Sequence, residues 1–339
     1  MEQSLARSID LPFLMAGGGT GGHVIPALAV GRELRRRGRE VFFVGTAHGM
    51  EARLVPAEGF ELKRIDIGGL NRVSLRRKVA TLFRLPFTTF ACRKFVRQAA
   101  AVFSMGGYVA GPPVMAALLA GVPVVVMEPN AMPGFTNRVI GRFVARALIS
   151  FPETAAHFAA GRTETTGLPV REEFFRIPPR PAGGVLNILI TGGSQGSRTL
   201  NRAARESWPL FRRAAYRVRI VHQSGPSGLA DFAQADLVVS RSGAGAVSEL
   251  AAAGRPSILV PFPFAADDHQ TRNAEAMERG GAARLVRDAG MHGESLFAAV
   301  SELYGAPGVL DGMAAAARRF AHPGSARRAA DILEEVARA

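Results

Sequence analysis

The feature that most constrains this chain is a supersecondary device that occurs twice. Leu11 to Ala16 is a short apolar run, followed at once by Gly17-Gly18-Gly19-Thr20-Gly21-Gly22-His23 and then by the helix-prone stretch Ile25 to Arg36. Far downstream, apolar Leu186 to Ile190 gives way to Thr191-Gly192-Gly193-Ser194-Gln195-Gly196, and Thr199 to Arg205 can again be helical. Strand, glycine loop and helix in succession open a Rossmann-like domain, so two such openings predict two such domains. Val41 to Val44, Ala101 to Ser104 and Val122 to Met127 read as further buried strands, with helical segments such as Pro112 to Ala120 between them. Leu237 to Ser240 and Ser257 to Val260 likewise flank a helix over Ala246 to Ala253. This alternation argues for α/β domains with parallel sheets covered by helices on both faces.

A length of 339 residues suits two domains. Residues 176–184, with Pro178, Pro179, Pro181 and paired glycines, break all periodicity and read as part of a linker. The expected division is therefore 1–175 and 185–323, two halves facing across a cleft, with 324–339 as an amphipathic C-terminal helix that packs, in one reading, back on the first domain. Hydrophobic residues at 47% and charged residues at 21% are those of a folded protein rather than a disordered one. Cys92 stands alone, so no intramolecular disulfide can form; a reducing compartment is the natural reading, and the side chain reads as small apolar filler. No stretch approaches the ~20 apolar residues of a spanning helix, and Leu11 to Ala16 is too short for a secretory signal, so a cytoplasmic location is expected. The formal charge of +14 favours an anionic partner, whether nucleic acid, anionic lipid or a phosphorylated substrate.

Glycine loops between a strand and a helix let backbone N–H groups approach a phosphate, to which the helix start adds partial positive charge. The chain has three: Gly17 to Gly22, Gly192 to Gly196, and Ser242-Gly243-Ala244-Gly245. Any one of them could be only a tight turn. A dinucleotide dehydrogenase is disfavoured, because Val41 to Val44 runs into Gly45-Thr46 with no acidic residue at the strand end. His23 follows the first loop, where an imidazole with an ordinary pKa near 6.5 suits a general base, the alternative being a structural histidine held by backbone groups. Around the third loop, Arg241, the glycine turn and a helix come in succession. Glu249, about one turn into that helix, could accept both hydroxyls of a ribose, or simply favour the helix's first turns as acidic residues do.

Basic and aromatic residues interleave over Asn71 to Gln98, with Arg76, Arg77, Arg84 and Arg93 among Phe83, Phe87, Phe90 and Phe95. That pattern suits an anionic bilayer surface, apolar face inward, or an ordinary surface helix packed on a sheet.

Five motifs together resemble a known family. Gly18 to His23 (Gly-Gly-Thr-Gly-Gly-His), Met105 to Tyr108 (Met-Gly-Gly-Tyr), Gly192 to Gly196 (Gly-Gly-Ser-Gln-Gly), the Arg-Ser-Gly-Ala stretch at Arg241, and Asp267 to Ala274 (Asp-Asp-His-Gln-Thr-Arg-Asn-Ala) are similar to those of glycosyltransferase family 28. More narrowly, they resemble its N-acetylglucosaminyltransferases that convert lipid I to lipid II in peptidoglycan synthesis. The resemblance implies a GT-B fold and transfer of GlcNAc from UDP-GlcNAc, with inversion, to the C4 hydroxyl of the muramyl sugar of an undecaprenyl-linked acceptor. It implies no cofactor and no metal, in keeping with the lack of an Asp-x-Asp motif. No nucleic-acid partner is expected.

By the same resemblance His23 is the catalytic base, and Thr20, Gly21 and Gly22 border the donor phosphates and the acceptor. Asn130, Arg171, Ser194, Ala244, Gly245, Ala246, Val247, Ser248, Glu249 and Gln270 contact the donor, with Glu249 on the ribose and Gln270 on the GlcNAc hydroxyls. Arg241 and His269 are further donor candidates. Gly106, Gly107, Tyr108, Arg76, Arg77, Phe83 and Phe87 fall on the acceptor or membrane side, and the enzyme is expected at the cytoplasmic face of the inner membrane as a peripheral protein.

The chain departs from the family pattern at several places. Met127-Glu128-Pro129-Asn130 stands for His-Glu-Gln-Asn, Leu168-Pro169-Val170-Arg171 for Asn-Pro-Val-Arg, and Ala246 for a threonine. Between Gly225 and Asp236 the chain lacks roughly one strand-and-helix unit, which should expose apolar surface where an interior strand is missing and weaken base recognition. Two other readings are another GT-B enzyme, such as a diacylglycerol glycosyltransferase or a UDP-sugar epimerase, and an inactive basic membrane-associated scaffold.

Overall fold

A computed structural model describes residues 10–68, 75–179, 184–193, 196–214, 216–223 and 228–339, with the side chains of residues 75–82 left aside. The chain divides into two compact units. The first comprises Met1–Pro129, Pro133–Pro169 and Gly324–Ala339, and the second Asn130–Met132 and Val170–Pro323.

The first unit begins with strand β1 (Phe13–Ala16), helix α1 (Gly21–Arg36), strand β2 (Val41–Gly45), helix α2 (Glu51–Ala57) and strand β3 (Glu61–Arg64). It continues through α3 (Leu75–Val96), β4 (Val102–Ser104), α4 (Gly107–Leu119), β5 (Val124–Glu128), α5 (Phe135–Ile140), β6 (Arg146–Ile149) and β7 (Thr163–Thr165). The strands form one parallel sheet in the order β3-β2-β1-β4-β5-β6-β7. β1 lies inside it between β2 and β4, and all four of its residues are buried, as a parallel strand covered on both faces requires. Leu14, Val44, Val102 and Val126 meet Ala110, Val114 and Ala117 of α4 and Cys92 and Val96 of α3 in one core. Burial pushes the Cys92 thiol up to about 12, so it is inert packing.

The second unit runs through β8 (Leu186–Thr191), α6 (Arg198–Arg213), β9 (Val218–Gln223), α7 (Leu229–Gln234), β10 (Leu237–Ser240) and α8 (Ala244–Ala253). β11 (Ser257–Leu259), α9 (His269–Arg279), β12 (Ala283–Leu285), α10 (Gly293–Gly305) and α11 (Val309–Arg318) complete it. Its sheet is parallel in the order β12-β11-β10-β8-β9. These five described strands are continuous hydrogen-bonded neighbours, which corrects the expectation of a missing interior strand. β8 already has β10 on one side and β9 on the other, so any strand the family carries between β9 and β10 in chain order has its open place at a sheet edge. β9 is accordingly an edge strand with no fully buried residue, whereas five of the six residues of β8 are buried.

The last helix, α12 (Ser325–Arg338), belongs to the first unit although it follows the second in the chain. It packs on α1. Arg37 pairs with Asp331 at 2.6 Å and Arg39 with Glu334 at 2.7 Å, while Arg328 grips Glu164 through two nitrogens at 2.6 and 2.9 Å. At the start of α12 the buried Ser325 hydroxyl donates to the Gly167 carbonyl at 2.7 Å. The Arg328 hydrogen bond, ahead of the opposing cost of burial, holds the Glu164 carboxyl below its ordinary range.

Candidate active site

In the first unit the opening glycine loop passes directly into α1. The helix starts at Gly21 rather than at Ile25, so Gly21, Gly22 and His23 form its first turn, with Thr20 as an extended N-cap residue whose side chain makes no capping bond. His23 Nδ1 lies 3.3 Å from the Gly18 carbonyl oxygen and 3.3 Å from Thr20 Oγ1. A carbonyl only accepts, so its partner nitrogen carries the proton, and the basic lone pair is then on Nε2.

The second glycine pair of this unit supports the imidazole from the side. Gly107 has φ +77, a backbone conformation that favours glycine, and a Cβ there would stand 3.2 Å from His23 Cε1 and press on the ring. The loop is fixed by Ser104, whose hydroxyl oxygen accepts from Gly106 N at 3.0 Å, and by Thr136, whose hydroxyl donates to the Gly107 carbonyl at 3.1 Å. Tyr108 lies against Gly19, and burial first, then the nearby Glu51, pushes its phenol above the usual range.

The second unit supplies a different device. α8 starts at Ala244 after Gly243, a residue with no side chain to cap it, and its first backbone hydrogen bond runs from Val247 N to the Gly243 carbonyl. The N–H groups of Ala244, Gly245 and Ala246 therefore precede the first helical bond and point along the axis with the positive end of the helix dipole. Glu249 lies further along the same helix and is half-buried. Burial pushes its carboxyl up to about 7, against the pull of the Arg171 guanidinium. Val247 is buried, while Ser248 is half-buried beside Glu249.

Around that helix start, side chains from α9 bind the turn together. Gln270 accepts from Phe262 N at 3.0 Å through Oε1, and the Ser242 hydroxyl donates to the Gln270 carbonyl at 2.8 Å. Asn273, fully buried, donates to Asn130 Oδ1 at 3.0 Å and to the Ser242 carbonyl at 3.1 Å, and accepts from Ala131 N at 2.8 Å. It thereby fastens Asn130 to the glycine turn. His269 Nδ1 donates to the Ala266 carbonyl at 2.6 Å.

Arg241 is engaged within its own unit. Its Nη1 pairs with Asp288 at 2.6 Å and donates to the carbonyls of Val260 and Pro261, with the guanidinium over the Phe262 ring. That engagement braces the segment between β11 and α9.

The structure thus gathers His23, Thr20, Gly21, Gly22, Gly107 and Tyr108 in the first unit. In the second it gathers Ala244 to Glu249, Gln270, Asn130 and Arg171. Ser194 lies outside the described residues, as do the side chains of Arg76 and Arg77. Glu51, Thr46, Asn273 and Asp288 carry much of this geometry and were not singled out from the sequence. Glu51 had no signal beyond its place after a strand and glycine, whereas Asn273 stood inside a recognised motif.

On the outer side of α3, Phe83, Phe87 and Phe90 follow helical spacing and are 74%, 78% and 71% exposed. Leu119 of α4, Phe135 and Val139 of α5, and Phe143 are exposed too, with Arg84, Lys94, Arg138 and Arg142 among them. Among the described residues no helix is long and apolar enough to cross a membrane.

Residues 13–149 match the glycosyltransferase family 28 N-terminal domain, and residues 187–233 and 229–335 match the family 28 C-terminal domain. The chain belongs to glycosyltransferase family 28 and has the two-domain GT-B fold. It is 70% identical, over 96% of both chains, to the UDP-N-acetylglucosamine--N-acetylmuramyl-(pentapeptide) pyrophosphoryl-undecaprenol N-acetylglucosamine transferase of Solibacter usitatus (strain Ellin6076). To the protein of the same name from Azotobacter vinelandii it is 41% identical, over 96% of this chain and 98% of that one. Among solved structures, the crystal structure of Acinetobacter baumannii MurG superposes with a TM-score of 0.81 at 32% identity, covering 96% of this chain and 99% of that one. The Solibacter alignment runs over 350 positions, more than the chain's own 339, so the relative carries residues this chain lacks. The C-terminal family match falls into two pieces that meet at residues 229–233, within the shortened stretch.

Proposed function

We propose that this chain transfers GlcNAc from UDP-GlcNAc to the C4 hydroxyl of the muramyl sugar of undecaprenyl-pyrophosphoryl-MurNAc-pentapeptide, making lipid II from lipid I in peptidoglycan synthesis. Support comes from family 28 membership and from the name borne by the relative at 70% identity. The observation that carries the reading is the uncapped start of α8 with a carboxylate, Glu249, less than two turns further along. Backbone donors and a helix dipole suit a diphosphate, and a carboxylate at that distance suits the two hydroxyls of the attached ribose.

In the reaction, His23 Nε2 takes the proton of the C4 hydroxyl as its oxygen forms a bond to the anomeric carbon. The bond from that carbon to the phosphate oxygen breaks on the opposite face, so configuration inverts and the electron pair leaves with UDP. The N–H groups of Ala244, Gly245 and Ala246 offset the charge that builds on the departing diphosphate. Ala246 contributes its backbone alone, having no hydroxyl. Gln270 holds the sugar hydroxyls, Arg171 and Asn130 line the donor, and Arg241 braces the turn without touching phosphate.

The exposed phenylalanines of α3, with Leu119 and the apolar residues of α5 and the surrounding arginines, form the surface that rests on the cytoplasmic face of the anionic inner membrane. The acceptor's polyprenyl chain keeps it in the bilayer, so the enzyme works there as a peripheral protein.

The test is transfer of label from UDP-GlcNAc, by the purified chain in detergent, to lipid I or to diacylglycerol offered separately. Label in the lipid I product alone is expected; label on diacylglycerol, or on neither acceptor with UDP binding no better than ADP by calorimetry, refutes the reading.

A further inference from the structure

The buried carboxylate of Glu51 has no part in the chemistry above, yet it lies directly behind the histidine loop. Its residue is fully buried, and it accepts three hydrogen bonds: from Thr46 N at 2.9 Å and Thr46 Oγ1 at 2.8 Å on Oε1, and from Gly19 N at 2.7 Å on Oε2. The last of these bears on His23. Gly19 N–H belongs to the peptide group whose carbonyl is that of Gly18, and the Gly18 carbonyl is the group facing His23 Nδ1 at 3.3 Å. In a trans peptide the N–H and C=O point in opposite directions. One planar amide therefore has the carboxylate on its donor side and the imidazole on its acceptor side.

The geometry points to Glu51 as a positioning residue that acts on His23 through the Gly18–Gly19 peptide. Hydrogen bonds in a chain polarise one another, and a bond to an ionised acceptor is the stronger kind. The carboxylate draws on the Gly19 N–H, makes the Gly18 oxygen a better acceptor, and so favours the proton on Nδ1. The Nε2 lone pair is thereby held as the basic site, and the imidazolium that forms when it takes a proton is stabilised. This is the role a carboxylate plays when bonded to a histidine directly, here transmitted through a backbone amide.

Three features of the surroundings fit that role. A Cβ on Gly18 would stand 2.6 Å from Glu51 Oε1, so the contact between carboxylate and peptide requires glycine there. Gly19 has φ +83, a backbone conformation that favours glycine, and its N–H donates to Glu51. Thr46, at the end of β2, fixes Glu51 through both backbone and hydroxyl, so the carboxylate is anchored to the sheet independently of the loop. Thr20 Oγ1, also 3.3 Å from Nδ1, can accept from the same proton and does not compete for Nε2. Among the described residues, the titratable groups seen against Gly18 and Gly19 are Glu51 and Tyr108, and the phenol is raised, chiefly by burial and secondarily by the carboxylate charge.

The inference rests on His23 being the catalytic base, and the test separates the two. In wild-type protein with 15N-labelled histidine, at a pH above the ring's titration, the His23 imidazole is expected as the Nδ1–H tautomer, assigned by its disappearance in His23→Asn. Glu51→Gln has one acceptor oxygen for three donors. It is expected to mix the tautomers, to lower kcat about 10- to 100-fold as loss of an outer-shell partner does, and to leave KM for UDP-GlcNAc within about twofold. Because the carboxylate favours the charged ring, its loss moves the acidic limb of the kcat–pH profile to lower pH. A merely structural role would lower stability and active fraction without moving that limb. If Glu51→Gln fails to fold, the wild-type tautomer alone decides: an Nε2–H ring overturns the proposal and an Nδ1–H ring upholds it. An unshifted pH profile in folded Glu51→Gln, with His23→Ala inactive, overturns the role of Glu51 alone; turnover surviving in His23→Ala overturns the assignment of the base.

Discussion

Donor binding should depend on pH through one carboxyl group. Glu249 is held at about 7 chiefly by burial, from an ordinary value of 4.5. Accepting two ribose hydroxyls requires the ionised form, so the donor has to select it. With a midpoint near 7 about one molecule in eleven is ionised at pH 6 and about ten in eleven at pH 8, and the dissociation constant should fall about tenfold between them. UDP-GlcNAc is the proper ligand for this measurement, because both of its phosphates are esterified and neither titrates in that range. Calorimetry at pH 6, 7 and 8 in buffers of different ionisation enthalpy should also show proton release on binding, largest near pH 6. Glu249→Gln should bind more weakly at pH 8 and lose the slope. The free protein carries the reverse signature. A carboxyl raised on folding contributes stability that is full below about 4.5 and is lost as pH rises through about 7. The shift corresponds to at most about 3 kcal/mol, and partial solvent access reduces this to about 1–2 kcal/mol, which Glu249→Gln should abolish in thermal melts at pH 5 and 8. A pH-independent dissociation constant in the wild type, or an undiminished slope in Glu249→Gln, would refute the assignment of the ribose ligand.

His23→Ala should lower kcat by about 10²- to 10⁴-fold, the span of a lost general base, with UDP-GlcNAc affinity by calorimetry unchanged. Gly107→Ala should cost about 1–2 kcal/mol from the left-handed backbone alone and displace the His23 ring besides, read as a lower melting temperature with a still larger fall in kcat. Phe83→Ala with Phe87→Ala should reduce co-sedimentation with phosphatidylglycerol vesicles about tenfold or more, since each buried phenylalanine is worth about 1.5–3 kcal/mol, while leaving activity on a detergent-solubilised acceptor intact. Asn273→Ala removes three hydrogen bonds, two of them buried, and should destabilise the second unit by about 2–4 kcal/mol, measured by denaturant unfolding.

The central strands were plain in the sequence because burial on both faces makes them continuous apolar runs. Phe13–Ala16, Val124–Glu128 and Leu237–Ser240 all lie within or overlap such runs. The outer strands were not. β3 reads Glu-Leu-Lys-Arg and β7 reads Thr-Glu-Thr, and neither alternation nor apolarity marks them, because at a sheet edge pairing with one neighbour suffices. Helix starts were placed late for a related reason: Gly21 and Gly107 are poor helix formers, and only the backbone geometry shows that the glycine loops are already the first turns. The glycine loops and the helices they open brought His23 and Glu249 to notice, and a family motif brought Gln270. Glu51 and Asp288 escaped, since their importance comes from what the fold puts behind the glycine loop and Arg241, a relation that sequence spacing does not encode. The shortened stretch was legible as a departure, but its position at the margin of a sheet became clear only from the strand order.

The return of α12 to the first unit gives synthesis of this enzyme a particular order. When the ribosome has made the whole seven-stranded sheet, the surface of α1 around Arg37 and Arg39 still awaits its partner, because Asp331 and Glu334 follow only after the second unit. The domain begun first is finished last, after some 150 intervening residues have emerged. At the ~5–20 residues per second of translation, that leaves the nascent half-enzyme open for roughly ten seconds or more. A product cut short before Ser325 would remain so permanently, and chaperones and proteases would meet it as an unfinished chain even where every motif of the reaction was present.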